Sequence, residues 1–328
     1  MNLRKLYFLM LILPIMFFNQ ACSDDDNTTE PVEVINEAQL AAEYVEMNVT
    51  IQKMMTADAV NSLILTSPEK VYVMDIRSAT DYANGHIKDA VNVALKDIVT
   101  HYKTNNLQNK ENVVIACYTG QTAGYATAML RMLGYSNVAD LKWGMCSWNE
   151  ATATGWKSAT NVNNNYVTQL VTTVTAKNAA GELPKLETGK KVGAEVIEAR
   201  VNALLATADP FGDAKVGVST VWGNLTGYYI VNYWSAADYA WGHIPGAIQY
   251  SPSPSDFFYS TALKTLPTNK TIAVYCYTGQ TSAHMAAYLR VLGYDAKSVL
   301  FGVNGMAHDT MPANKWADTE IKGFELYK

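Results

Sequence analysis

The six residues CYTGQT occur twice in this chain, at 117–122 and again at 276–281, and the repetition around them is the strongest constraint on the fold. DYANGHIKDAVNV at 81–93 is echoed by DYAWGHIPGAIQY at 238–250, where His86 and His243 are offset by 157 residues. RMLGY at 131–135 answers RVLGY at 290–294. The two cysteines are offset by 159, which puts two extra residues of the second copy into the Pro-containing loop at 251–255. At 328 residues, the chain reads as a duplicated unit and therefore as two domains of similar size.

Local patterns place the motifs on elements. VYVMDIR at 71–77 and NVVIAC at 112–117 are β-rich runs, matched by YYIVNYW at 228–234 and TIAVYC at 271–276. Behind each cysteine loop the apolar residues fall at helical spacing, Ala126, Met129, Leu130 and Leu133 in one copy and Met285, Tyr288, Leu289 and Leu292 in the other. Gly134 and Gly293 then stand where left-handed caps would end those helices. Helical patterns at 37–47 and 195–205 open the two units. Strands alternating with helices in this way imply an α/β fold with a mostly parallel sheet covered on both faces. The Gly- and Pro-containing stretch at 176–191 reads as the linker, which gives a first domain at 34–175 and a second at 192–328. Within the first, the Val/Thr alternation at 166–175 reads as a final strand.

Each cysteine stands between a strand end and a helix start, where unpaired N–H groups and the helix dipole favour an anion. A favourable terminus is worth up to about 2 kcal/mol, enough to bring a thiol from about 8.5 to about 7. Cys117 and Cys276 are accordingly the expected nucleophiles. Setting Cys22 aside leaves three cysteines, an odd number that argues against a disulfide framework. There is no CxxC pair and the five histidines are scattered, so neither a metal site nor any cofactor is expected. A formal charge of −5 gives no sign of nucleic-acid binding, which would need a basic face, so no nucleic-acid partner is expected.

The N-terminus reads as a targeting segment. Arg4 and Lys5 precede an apolar run at 6–18, short for a membrane-spanning helix, which needs about 20 residues. Asn19-Gln20-Ala21-Cys22 resembles a bacterial lipoprotein cleavage site, with Asn19 where a leucine-like residue is usual, and Ser23-Asp24-Asp25-Asp26 resembles an acidic surface-sorting signal. The expectation is a signal peptide at 1–21, lipidation of Cys22, an acidic tether at 22–33, and a cell-envelope protein that meets the membrane through its N-terminal lipid only, at the outer membrane or cell surface.

Asp75-Ile76-Arg77, Asp81-Tyr82, Gly85-His86-Ile87, the cysteine loop, and Leu141-Lys142-Trp143-Gly144 with Trp148 together resemble the rhodanese (sulfurtransferase) family, here in tandem over nearly all of the mature chain. In the second half Asn232 and Trp234 replace the aspartate and arginine, and residues 300–306 match the closing motif loosely. The resemblance implies two five-stranded α/β domains and a ping-pong reaction. In it a cysteine takes sulfane sulfur from thiosulfate, mercaptopyruvate or polysulfide and passes it, as a persulfide, to a thiol or cyanide acceptor.

It also implies that the loops, Tyr118, Thr119, Gly120, Gln121 and Thr122 in one copy and Tyr277, Thr278, Gly279, Gln280 and Thr281 in the other, wrap the sulfur and the donor anion, with the threonines closing each loop. Because neither loop carries lysine or arginine, affinity for thiosulfate is expected to be weak. Both sites are expected to work, the first being favoured if only one does. Asp75 with Arg77, and His86 and His243, are read as structural. Cys146, in the loop after the strand next to Cys117, is read either as a packing cysteine or as a resolving thiol, with Gly305 as its counterpart. A non-enzymatic persulfide carrier or envelope binding module is the alternative function, and a phosphatase is disfavoured because the loop lacks an arginine.

Overall fold

The computed structural model describes residues 36–253 and 255–328. The leader at 1–21, the tether at 22–33 and Cys22 lie outside the described residues. Among the described residues, no helix is long and apolar enough to cross a membrane.

Among the described residues, ten strands form two sheets. The first holds β1 (Met54–Met55), β2 (Val71–Asp75), β3 (Val91–Asn92), β4 (Asn112–Ala116) and β5 (Val138–Leu141) in the order β1-β5-β4-β2-β3. The second holds β6 (Lys215–Val216), β7 (Tyr229–Tyr233), β8 (Ile248–Tyr250), β9 (Ile272–Tyr275) and β10 (Ala296–Val299) in the matching order β6-β10-β9-β7-β8. Every strand pair is parallel, so the expected α/β architecture of two five-stranded sheets is what the chain adopts. β4 and β9 are the central strands, and their apolar runs are buried on both faces because helices cover each sheet from both sides.

The helices that follow the central strands, Gln121–Met132 and Gln280–Val291, lie against each other. Each therefore has its own sheet on one side and the other half on the opposite side, and nearly every residue in both is buried. Gly124 lies at this contact. A Cβ there would lie 3.0 Å from the Gln280 carbonyl oxygen and 3.1 Å from a His284 ring carbon, a fit tight enough that a side chain would make the neighbouring helix give by a few tenths of an ångström. One apolar core runs through both halves as a result, joining Ala126 and Met129 to Met285 and Tyr288. Gly134 (φ +91°) and Gly293 (φ +95°) end the two helices in left-handed conformation, as their positions predict.

The segment at 166–175 corrects one expectation. It is not a closing strand of the first sheet, because it crosses to the second half. Val171 and His243 exchange both backbone hydrogen bonds at 2.9 Å, and Thr175 pairs in parallel with Ile248 of the edge strand β8. The open backbone of that edge supplies the partners that the Val/Thr run needs. The C-terminus makes the reciprocal journey. Tyr327 and His86 exchange both backbone bonds at 2.9 Å, and the Phe324 N–H donates to the Trp148 carbonyl at 2.9 Å. Each half is strapped by the trailing segment of the other.

Candidate active site

The two cysteine loops share one geometry. Cys117 follows the last residue of β4, and its sulfur accepts the N–H groups of Gly120 at 3.2 Å and Ala123 at 3.3 Å. Cys276 follows β9 and accepts from Gly279 at 3.2 Å and Ser282 at 3.3 Å. Gly120 (φ +88°) and Gly279 (φ +80°) take the left-handed conformation that turns these N–H groups inward. The Ser282 hydroxyl adds a contact 3.6 Å from the Cys276 sulfur, where the first half has only the methyl of Ala123.

A second loop closes over each cysteine loop. Gly144 and Gly302 fit only because they lack a side chain: a Cβ would stand 2.4 Å from the Gly120 nitrogen in one half and 2.1 Å from the Cys276 carbonyl oxygen in the other. Met145 and Val303 donate to the carbonyls of Cys117 and Cys276, and Cys146 and Asn304 donate to those of Tyr118 and Tyr277. The counterpart of Cys146 is therefore Asn304, not Gly305, because the offset between the halves shortens to 158 just before β10.

The halves also interlock through the loops. Gln121 accepts the Phe301 N–H at 2.8 Å, and Gln280 accepts the Trp143 N–H at 2.8 Å. Gln280 further donates to Asp140 at 2.9 Å, and His284 bonds the other Asp140 oxygen at 2.8 Å. All three side chains are fully buried. The sequence reading assigned the glutamines to the anion-binding loop, and the structure engages both in contacts between the halves.

Burial sets the state of the first thiol. Cys117 is buried, and loss of solvent pushes its thiol up to about 11, with the Asp140 charge adding to the rise and the N–H groups of Ala123, Thr119 and Gly120 opposing it. The expected lowering toward 7 is thus reversed, because the expectation weighed the helix terminus without the second half lying over it. Cys146 packs among Trp143, Trp156 and Trp316, and burial pushes it up to about 12. Among the described residues Cys117, Cys146 and Cys276 are all free thiols.

The remaining motif residues hold the frame. Arg77 donates to Asp75 at 2.6 Å and to the Gly85 carbonyl at 2.7 Å, all within the core. In the second half Asn232 bonds the Tyr275 hydroxyl at 2.8 Å instead. His86 and His243 stack on Tyr82 and Tyr239 and bond the carbonyls of those residues at 3.0 and 2.8 Å. The loop tyrosines are tied back as well: Tyr118 donates to Asp81 at 2.5 Å, and Tyr277 donates to Asp238. Burial and the Asp238 charge both push the Tyr277 phenol upward.

A cavity of about 310 Å³ lies at the second cysteine, lined by Cys276, Tyr277, Thr278, Thr281 and Trp234 and, from the first half, by Lys142. It shares Gln52, Tyr233 and Pro252 with a neighbouring cavity of about 510 Å³. Thr278 and Thr281 of the second loop line this cavity. Lys142 and Trp234 were visible only as motif positions. Nothing in the linear pattern says that a lysine of the first closing motif borders the second cysteine.

The class defined by this fold and this pair of loops is matched by comparison. A family model for the rhodanese-like domain matches residues 56–151 and 225–307, more than half of the chain. The chain belongs to the rhodanese-like family, with two such domains in tandem. Among curated relatives, it is 29% identical to the thiosulfate sulfurtransferase GlpE of Shewanella oneidensis over 96 residues, which are 29% of this chain and 93% of that protein. It is 31% identical to a sulfurtransferase of Allochromatium vinosum over 84 residues, 26% of this chain and 77% of that one. A putative sulfur carrier protein of Bacillus subtilis, YrkF, is 24% identical over 86 residues, 26% of this chain and 45% of its own length. Among solved structures, the thiosulfate sulfurtransferase of Pseudomonas aeruginosa aligns with 86% of this chain and 48% of its own at 17% identity and a TM-score of 0.30.

Proposed function

We propose that this protein is a sulfurtransferase that carries sulfane sulfur as a persulfide on Cys276, with Cys117 as a second site. The observation that carries the reading is the Cys276 sulfur, held by the N–H groups of Gly279 and Ser282 beside a cavity of about 310 Å³. The same N–H groups that hold a thiolate also hold the terminal sulfur of a persulfide, which is an anion of the same charge. After the thiol has lost its proton to solvent, the Cys276 thiolate attacks the outer sulfur of the donor. A new sulfur–sulfur bond forms, and the donor's own bond to that sulfur breaks with both electrons leaving on the departing group. A thiolate or cyanide acceptor then attacks the terminal sulfur, and the original thiolate returns.

The donors that fit are thiosulfate, mercaptopyruvate and polysulfide. The protein exposed to each in turn and weighed intact should carry one extra sulfur on Cys276, removable by cyanide with release of thiocyanate. If neither Cys276 nor Cys117 gains sulfur from any of the three, the reading fails. A second reading, a persulfide carrier without turnover, is favoured by the deep burial of both sulfurs, 2% and 1% exposed. A carrier would load but release sulfur slowly to small acceptors.

We propose further that the protein is anchored in a bacterial cell envelope through lipid on Cys22, supported by the leader-like run at 6–18 and the small Ala21 before that cysteine. Mass spectrometry of the mature N-terminus tests this, and an unmodified Cys22 would remove it.

A further inference from the structure

Two residues that line the Cys276 cavity carry polar groups that the fold leaves unused. The Lys142 ammonium has no carboxylate or hydrogen-bond partner among the described residues. It stands 5.2 Å from the centre of the Trp143 ring, on a side chain that lines the cavity. Trp234 lines the same cavity, is 1% exposed, and its indole N–H has no partner among the described residues. A buried donor left unpaired costs about 1–3 kcal/mol, so an unpaired indole N–H on a residue that shares a cavity lining with an unpaired cation is available to a group that visits.

The other half lacks both groups. Trp143 and Phe301 are counterparts, because each gives its N–H to the glutamine of the opposite loop, so Lys142 corresponds to Leu300. The counterpart of Trp234 is Arg77, whose guanidinium is engaged by Asp75 and the Gly85 carbonyl. The pair is therefore not a general requirement of the duplicated fold. It belongs to one site of the two.

We infer that Lys142, supplied by the first half, and Trp234, supplied by the second, hold the oxyanion of the sulfur donor at Cys276, so that this site takes donors whose departing portion carries a sulfonate or carboxylate. The inference rests on the persulfide reading of Cys276 and adds the donor class and the residues that select it. With thiosulfate, the Cys276 thiolate bonds to the outer sulfur and sulfite leaves with the electron pair of the broken bond. Total charge is unchanged by that step, but negative charge concentrates on the sulfite oxygens, where an ammonium and an N–H donor stabilise it. Lysine suits this task as a compact point charge on a flexible stem, able to follow the group as it departs.

The test uses the full chain and two probes, thiosulfate and inorganic polysulfide, with loading of Cys276 followed by intact mass. Lys142→Met keeps the stem that lies over Trp143 and removes the charge. It should raise the thiosulfate KM by ~10–100-fold and leave polysulfide loading within ~2-fold of the parent. Lys142→Arg should restore most of the thiosulfate affinity, and Trp234→Phe, which removes the N–H donor together with part of the ring, should raise the KM by ~3–10-fold. The inference is overturned if Lys142→Met loads from thiosulfate with the parent KM, or if it loses both donors equally, which would mark a structural role. A parent protein that loads from neither probe removes the persulfide reading itself and is thereby distinct from those two outcomes.

Discussion

The side-chain oxygen of Gln280 accepts the backbone N–H of Trp143 at 2.8 Å, so the first residue of one half's helix is fastened to the closing loop of the other. The same amide donates to Asp140 at 2.9 Å. Replacing Gln280 by alanine strands a buried N–H and half of a buried carboxylate at once. Gln280→Ala should therefore lower unfolding free energy by about 2–4 kcal/mol, read from denaturant titration. An unchanged midpoint would mean that the contact between the halves is dispensable.

Separate serine variants at the two cysteines should divide the activity unevenly. Cys276→Ser is expected to lower sulfur transfer from thiosulfate to cyanide by at least about a hundredfold, since the nucleophile at the cavity is gone. Cys117→Ser should retain most of the turnover, because the second half then works with its own loop and with Lys142 intact. Steady-state thiocyanate release measures both, and equal losses would contradict the division.

Burial holds the Cys117 thiol up at about 11, against an ordinary value of 9.0. The folded chain therefore keeps a proton that the unfolded chain gives up first, so unfolding is increasingly favoured as pH climbs between those two values. Stability from this group is intact below about pH 9 and is lost as pH approaches 11. The Cys117→Ser protein should lose less unfolding free energy than the parent across that window. Iodoacetamide should likewise alkylate Cys117 slowly at neutral pH and faster as pH nears 11, and rapid labelling at pH 7 would contradict the burial argument.

Asp75 and Arg77 form an ion pair within the core, both all but inaccessible. Removing one partner leaves the other charge without compensation, so Asp75→Ala should cost about 3–5 kcal/mol in thermal or denaturant unfolding. The double change Asp75→Asn with Arg77→Met, which leaves no buried charge, should cost less than the single one. The second half already shows such a solution, with Asn232 on the Tyr275 hydroxyl and Trp234 in place of the arginine.

Much of this molecule is legible in the linear chain. The runs that become β2, β4, β7 and β9 are rich in β-branched and aromatic residues, and Gly134 and Gly293 mark the helix ends, so the repeated strand–loop–helix unit could be placed to within a residue or two. The two-residue strands β1, β3 and β6 were not visible, since their pairing is a property of neighbouring strands and not of their own composition. Contacts between the halves were equally hidden. Gln121 and Gln280 are identical letters in identical loops, and their partners are backbone N–H groups, which leave no trace in a sequence. The state of Cys117 was misread for the same reason, because its loop predicts stabilisation of an anion while the covering half predicts the reverse.

The crossed trailing segments have a consequence for how the chain can be cut. With residues 161–175 lying on the second half and residues 322–327 lying on the first, a protease nick in the stretch at 176–191 would release nothing: the two fragments would remain clasped, each gripping its sibling by the end. Recombinant pieces divided at that stretch would, by contrast, each be born with a bare flank, so dissection of the two sites belongs to point substitution in the intact polypeptide.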